Sequence, residues 1–148
     1  MKKKLLFLSM AVCLFADPKV VKEDSVLQNQ FDAKMKAQNK TIVKMSAEET
    51  KKHLPQKVDK YTTMTGVDYK GTNLIYIYEI NVPPKSDKEL IKEAQKKMMP
   101  LRIKRNSCLS AKRFLKSDIT LTYVYKSAKT KNTLFKVDVN KDDCRRIW

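Results

Sequence analysis

The stretch YTTMTGVDYKGTNLIYIYEINV, residues 61–82, reads as two strands joined by a tight turn. Its first part, 61–69, is rich in Thr and Val, which suit a pleated surface, and KGTN supplies the turn. In the second part Leu74, Tyr76, Tyr78, Ile80 and Val82 fall on one face by period-two alternation, while Ile75 and Ile77 fall on the other. A strand that is apolar on both sides belongs in the middle of a sheet.

Toward the C-terminus, Pro83 and Pro84 end this strand, and Ser86 with Glu89 has capping-box spacing for a helix. Leu90, Ala94, Met98 and Leu101 continue one helical stripe with Ile91 beside it, predicting a helix that covers the sheet and that Pro100 ends or kinks. After Cys108, AKRFLK predicts a short helical turn that anchors Phe114 and Leu115 in the core. DITLTYVYK (118–126), the turn SAKTKN and TLFKVDV (133–139) then predict a second pair of strands. The expected fold class is α+β: an antiparallel four-stranded sheet (ββαββ) with a helix on one face and N-terminal helices. The segments LIYIY at 74 and LTYVY at 121 share an L-x-Y-x-Y pattern, which sets the tyrosines of each strand on a common face.

Toward the N-terminus, Ser46 and Glu49 have capping-box spacing at the start of SAEETKKHLP, predicting a short helix that Pro55 stops. Before it, Leu27, Phe31 and Met35 form a narrow i, i+4 stripe with Asp24 or Ser25 as cap, predicting an appended helix that lies on the domain or serves a partner. The opening MKKKLLFLSMAVCLFA (1–16) has the three lysines and short apolar run of a secretory signal peptide. The expected organisation is a signal peptide over 1–16, an N-terminal helical segment over 17–45 and a disulfide-stapled α+β domain over 46–148. This places the chain in the periplasm or outside the cell, with lipid attachment at Cys13 as the alternative to removal of that cysteine with the signal.

Export leaves Cys108 and Cys144, an even pair in a compartment where disulfides persist, and a bond between them is the simplest reading. Composition bounds the rest. The chain has only Gly66 and Gly71, so the glycine-rich nucleotide-binding loops and the GxSxG elbow are excluded. The formal net charge of +16 falls by three with the signal peptide and stays strongly positive. Such a field favours an anionic envelope component, through peripheral membrane contact or surface polymer, or an acidic protein partner, and the exported location disfavours nucleic acid.

LPQKVDKYTTMTGVDYKGTNLIYIYEI (54–80), CLSAKRFLKSDITLTYVYK (108–126) and the late Cys144 resemble a recurring pattern in a family of small exported bacterial proteins of uncharacterised function. Its features are a Leu-Pro then Asp-x-x-Thr opening, a tyrosine-rich strand, a cysteine before a short helix, a Tyr-x-Tyr strand and a closing cysteine. The resemblance implies this fold, export and a disulfide, and it carries no catalytic residue across.

Candidate sites are few. His53 is the only histidine, which excludes multi-histidine metal centres, and the carboxylates Asp68, Glu79, Asp118 and Asp138 show no spacing that sets two across a cleft. Neither an enzyme activity, nor a metal, nor a cofactor is expected. Tyr76, Tyr78, Tyr123 and Tyr125 form an aromatic face that either stacks on planar ligands or packs as ordinary strand residues. The arginines are distributed unevenly: a Cys108–Cys144 bond would gather Arg105, Arg113, Arg145 and Arg146, with Lys104 and Lys112, into an anion-binding patch. Pairing of these residues with Asp142, Asp143 and the terminus is the competing expectation. The leading function expected is a non-enzymatic binding or adaptor protein of the bacterial envelope with a basic surface; the alternative is an accessory subunit of an envelope secretion or conjugation machine.

Overall fold

The computed structural model describes residues 18–148, so the expected signal peptide and Cys13 lie outside the described residues. Two compact units are present: the part of the first helix up to Lys34, and residues Met35–Trp148. That helix, α1, runs unbroken over Pro18–Lys51, where the sequence predicts two helices. Asp24, Ser25 and Ser46 are therefore internal positions and not caps. The Ser46 carbonyl accepts a hydrogen bond from the Thr50 hydroxyl at 2.7 Å, and Val43 and Ala47 are fully buried. Core packing thus holds the turn that would have to open to start a second helix, and no Gly or Pro interrupts residues 19–54. Beyond Lys51 the bonds tighten to i→i+3, with His53 N–H on the Thr50 carbonyl and Leu54 N–H on that of Lys51, and Pro55 cannot extend the helix.

The sheet has five strands and is mixed, which corrects the four-stranded antiparallel expectation. In spatial order they are β1 (Gln56–Lys57), β2 (Thr62–Lys70), β3 (Asn73–Ile80), β4 (Thr120–Ser127) and β5 (Thr133–Val139). β1–β2, β2–β3 and β4–β5 pair antiparallel, but β3 and β4 pair parallel. The reason lies in the connection between them, residues 81–119, which carries three helices. A crossover of that length returns the chain to the same end of the sheet, whereas a short loop would have forced antiparallel pairing. β1 is two residues long and has no β-branched or aromatic residue to announce it.

Local chemistry explains the turns. Asp59 Oδ1 accepts from the Tyr61 and Thr62 N–H groups at 2.8 and 2.9 Å, an Asx turn that launches β2. These bonds, from Tyr61 first, hold the Asp59 carboxyl below its ordinary pKa. Gly71 takes φ +62° in the two-residue β2–β3 turn, a conformation open to glycine. A bulge between Met64 and Gly66 puts Gly66 against Ile77, where a Cβ would approach the Ile77 side chain to 3.3 Å.

The crossover begins with α2 (Asp87–Lys96), whose N-terminus carries the complete Ser86–Glu89 capping box. The expected single stripe to Leu101 is broken at Met98, which adopts φ 51°, and α3 (Met99–Ser110) starts with Pro100 in its first turn. Leu90 and Ala94 are buried as expected, while Met98 and Leu101 are exposed. A short α4 (Lys112–Lys116) buries Leu115 and packs Phe114 against the core, and a 3-10 turn (Asp142–Cys144) follows β5.

One hydrophobic cluster joins the layers. Val43 and Ala47 of α1, Cys108 of α3, Leu115 of α4 and Ile119 meet Val67, Leu74, Leu121, Val137 and Val139 of the sheet. The helices therefore cover the sheet face that presents Leu74, Tyr76 and Tyr78. Where α1 crosses near α4, Asn39 Nδ2 donates to the Ser117 carbonyl at 2.5 Å, satisfying a polar group in a buried position.

Candidate interaction surface

Cys108, in the last turns of α3, and Cys144, in the 3-10 turn, are joined by a disulfide with Cα atoms 5.4 Å apart, and both are fully buried. The bond ties residues 140–148 to α3. A second tie is polar: the Trp148 indole N–H donates to the Cys108 carbonyl at 2.7 Å. That carbonyl is one of the last in α3, where the helix closes on the Ser107 carbonyl at Ala111 and leaves its final acceptors open. Above the indole ring stand the ammonium groups of Lys112 and Lys116, 5.8 and 5.6 Å from its centroid.

The six side chains expected to form an anion-binding patch divide into three kinds. Lys104 is engaged by Asp143 at 2.7 Å, and Arg145 by Asp142 at 2.7 Å through Nη2 and 3.0 Å through Nε. Both acids are the ones the competing expectation named. Lys112 lies over Trp148. Arg105, Arg113 and Arg146 are exposed, and among the described residues no acidic side chain forms an ion pair with them. Sequence reasoning missed Trp148 and Lys116 as members of this surface. The signal was available, since Trp148 is the only tryptophan and directly follows Arg145, Arg146 and Ile147.

The four strand tyrosines form a ladder across the helix-covered face. Ring centroids are 5.5 Å apart for Tyr76–Tyr123, 4.9 Å for Tyr78–Tyr125 and 4.6 Å for Tyr125–Phe135, all stacked. The Tyr123 and Ser107 hydroxyls lie 2.8 Å apart, and Ser107 donates to the Ile103 carbonyl, so the ladder is bonded to α3. Burial pushes the phenol pKa values up, Tyr125 to about 12 and Tyr78 further. The rings stack on one another along the ladder, and Tyr76, Tyr123 and Phe135 also pack against the buried core.

Elsewhere, α1 carries exposed apolar residues at Leu27 (63 % exposed), Phe31 (59 %) and Met35. The i, i+4 row that they begin continues through Asn39, Val43 and Ala47, which are buried. On the sheet face away from the helices, Ile75, Ile77 and Val124 are half-buried, with an Asn73–Thr122–Asp138 hydrogen-bond chain beside them. A cavity of about 240 Å³ lies at the Pro83–Pro84 corner, lined by Ile80, Val82 and Leu90 with Lys85 and Lys129. His53 is exposed beside Glu49. Glu79 pairs with Lys131, Asp118 with Lys141 and Asp138 with Lys136, while Asp68 accepts from the Tyr69 N–H. Among the described residues no group of three His, Cys, Asp or Glu could hold a metal ion, and no helix is long and apolar enough to cross a membrane.

Three solved structures share the fold. A Pseudomonas aeruginosa protein assigned as secreted superposes with a TM-score of 0.64 at 14% identity, covering 75% of this chain and 96% of its own. The pilotin EpsS of the Vibrio vulnificus type 2 secretion system gives 0.59 at 11% identity over 76% and 97% of the two chains. The type II secretion pilotin AspS of Vibrio cholerae gives 0.55 at 13% over 76% and 97%. No functionally curated protein shows significant sequence similarity to the chain. Residues 22–135, most of the length, match a single sequence family, and the chain belongs to it: the domain of unknown function DUF8479.

Proposed function

We propose that the chain is a non-enzymatic accessory subunit of a secretion machine in the bacterial envelope, acting in the periplasm or at its membranes. The observation that carries this reading is the exposed apolar row of Leu27, Phe31 and Met35 on a helix whose later turns build the domain core. Large apolar side chains at i, i+4 spacing are the anchors by which one helix lies in a groove of another protein, each contributing about 1.5–3 kcal/mol when fully buried. Two of the three structures that share the fold are pilotins of type II secretion systems, which supports a machine component as the partner.

A photo-crosslinking residue at Phe31, introduced in the native host, tests the reading. The expected product is a crosslink to one component of a secretion apparatus, lost with Leu27→Asp together with loss of secretion, while the melting temperature stays unchanged. Normal secretion by a strain carrying the Leu27→Asp, Phe31→Asp chain, with no such crosslink in the parent, would refute it.

A further inference from the structure

We propose that the outer surface of α3, α4 and the C-terminal segment is a contact site for an anionic lipid bilayer, with Trp148 at the level of the head groups. Between Met98 and Lys116 there are six basic residues and no acid. Of these, Arg102, Arg105, Lys112, Arg113 and Lys116 are exposed and lack an acidic partner among the described residues, as does Arg146 across the disulfide. Their charge therefore faces outward uncompensated, which is what binding to phosphate head groups requires.

The same surface is apolar between its charges. Leu101, Arg105 and Leu109 form one i, i+4 row along α3, with the two leucines 60 % and 62 % exposed. Leu109 follows Cys108, whose carbonyl holds the Trp148 indole, and Ile147 beside that indole is exposed as well. The ring is flanked by Lys112 and Lys116. A half-buried tryptophan that packs on the core, exposed leucines on the helix it is tied to and a surround of Lys and Arg is the composition of a surface that lies in a membrane interface. An acidic protein would need apolar contacts shaped to these particular side chains. A bilayer needs only a flat apolar layer beneath negative charge. The disulfide supplies the geometry by tying Trp148 to α3, and this does not depend on the secretion role of α1.

Trp148 is the only tryptophan, so its fluorescence reports this surface alone. The purified protein is mixed with vesicles of phosphatidylcholine with and without phosphatidylglycerol, and with brominated phosphatidylcholine as a depth-restricted quencher. Binding is expected only with phosphatidylglycerol, with a blue shift and quenching of Trp148. The triple change Arg105→Gln, Arg113→Gln, Arg146→Gln should weaken binding roughly 100-fold, at roughly fivefold for each charge near an anionic surface. Among the described residues these arginines have no acidic partner to lose, so the fold should be kept, as circular dichroism can check. A control triple, Lys57→Gln, Lys60→Gln, Lys70→Gln, makes the same change of charge at the β1–β2 edge and should bind within about threefold of the parent. Equal loss in the control would show that general charge binds, and would overturn the assignment. So would arginine-dependent binding to dextran sulfate with Trp148 unquenched by brominated lipid, which would identify an anionic polymer instead.

Discussion

Reduction of the Cys108–Cys144 bond should cost the protein a large part of its stability. The bond closes a loop with a sequence separation of 36. Restricting the unfolded chain by a loop of that length is worth about 4 kcal/mol on chain-entropy reasoning. A domain of this size has a total of about 5–15 kcal/mol, so between a quarter and most of it rests on one bond. At roughly 4 °C of melting temperature per kcal/mol for about a hundred residues, the oxidised protein should melt some 15 °C above the reduced one. The same shift is expected for Cys108→Ala, Cys144→Ala, which avoids burying thiols or hydroxyls. Thermal and urea unfolding followed by circular dichroism measure it. The urea slope should rise on reduction, because the freed unfolded chain exposes more surface. Trp148 fluorescence separates a local from a global effect: release of residues 140–148 alone would change the indole signal below the main transition, since its bond to the Cys108 carbonyl would fray first. A shift of less than about 3 °C, with the slope unchanged, would refute the loop argument. The contacts of α3 with β5 would then suffice to hold the C-terminus.

The row along α1 predicts opposite outcomes for like substitutions. Val43→Ala, in the core, should lose about 2 kcal/mol in urea unfolding, while Leu27→Ala should stay within about 0.5 kcal/mol of the parent. Equal effects would mean that the exposed and buried halves of the row are not distinguished as described. The tyrosine ladder predicts alkaline behaviour. Burial raises the Tyr76, Tyr78, Tyr123 and Tyr125 phenols, so the folded state holds protons that the unfolded state gives up near pH 10. Their contribution is intact below about pH 10 and is lost as the pH rises through the folded-state values. Tyrosinate absorbance should therefore appear in two stages, with the ladder phenols titrating only as the chain unfolds. A single ordinary titration without unfolding would contradict the burial.

Much of the fold is legible from local chemistry. The Ser86–Glu89 box, Gly71 in its turn, the central place of the two-sided apolar β3 and the placing of Phe114 and Leu115 each depend on a few neighbouring residues, and each is found as expected. The misread features depend on contacts far away in sequence. Ser46 and Glu49 have the spacing of a cap, but Val43 and Ala47 lie in the core beside Leu74 and Leu115, and their packing carries the helix through. The break between α2 and α3 beside Pro100 is as expected, but the stripe read through it to Met98 and Leu101, which are exposed. The charged surface was half legible: the arginines cluster visibly, but which of them meet an acid depends on where the 3-10 turn sets Asp142 and Asp143.

The direction of β4 was also written in the sequence, in a form that alternation does not test. Leu74, Tyr76 and Tyr78 stand opposite Leu121, Tyr123 and Tyr125, so the two L-x-Y-x-Y segments lie side by side in phase. In parallel neighbours a repeated pattern brings like residues into line along the whole strand, whereas in antiparallel neighbours the order is reversed and leucine would face tyrosine. The line-up yields the stacked pairs Tyr76–Tyr123 and Tyr78–Tyr125, and Phe135 extends the row into β5. Reversing the order of one segment should separate parallel pairing from mere strand propensity: Leu121→Tyr with Tyr125→Leu keeps composition and alternation but breaks the Tyr78–Tyr125 stack. If in-phase stacking matters, this swap destabilises the protein by more than the about 0.5–1.5 kcal/mol that one aromatic pair contributes, because two pairs and the packing of Leu121 are lost. A swap without effect would mean that the helices alone determine the order of the strands.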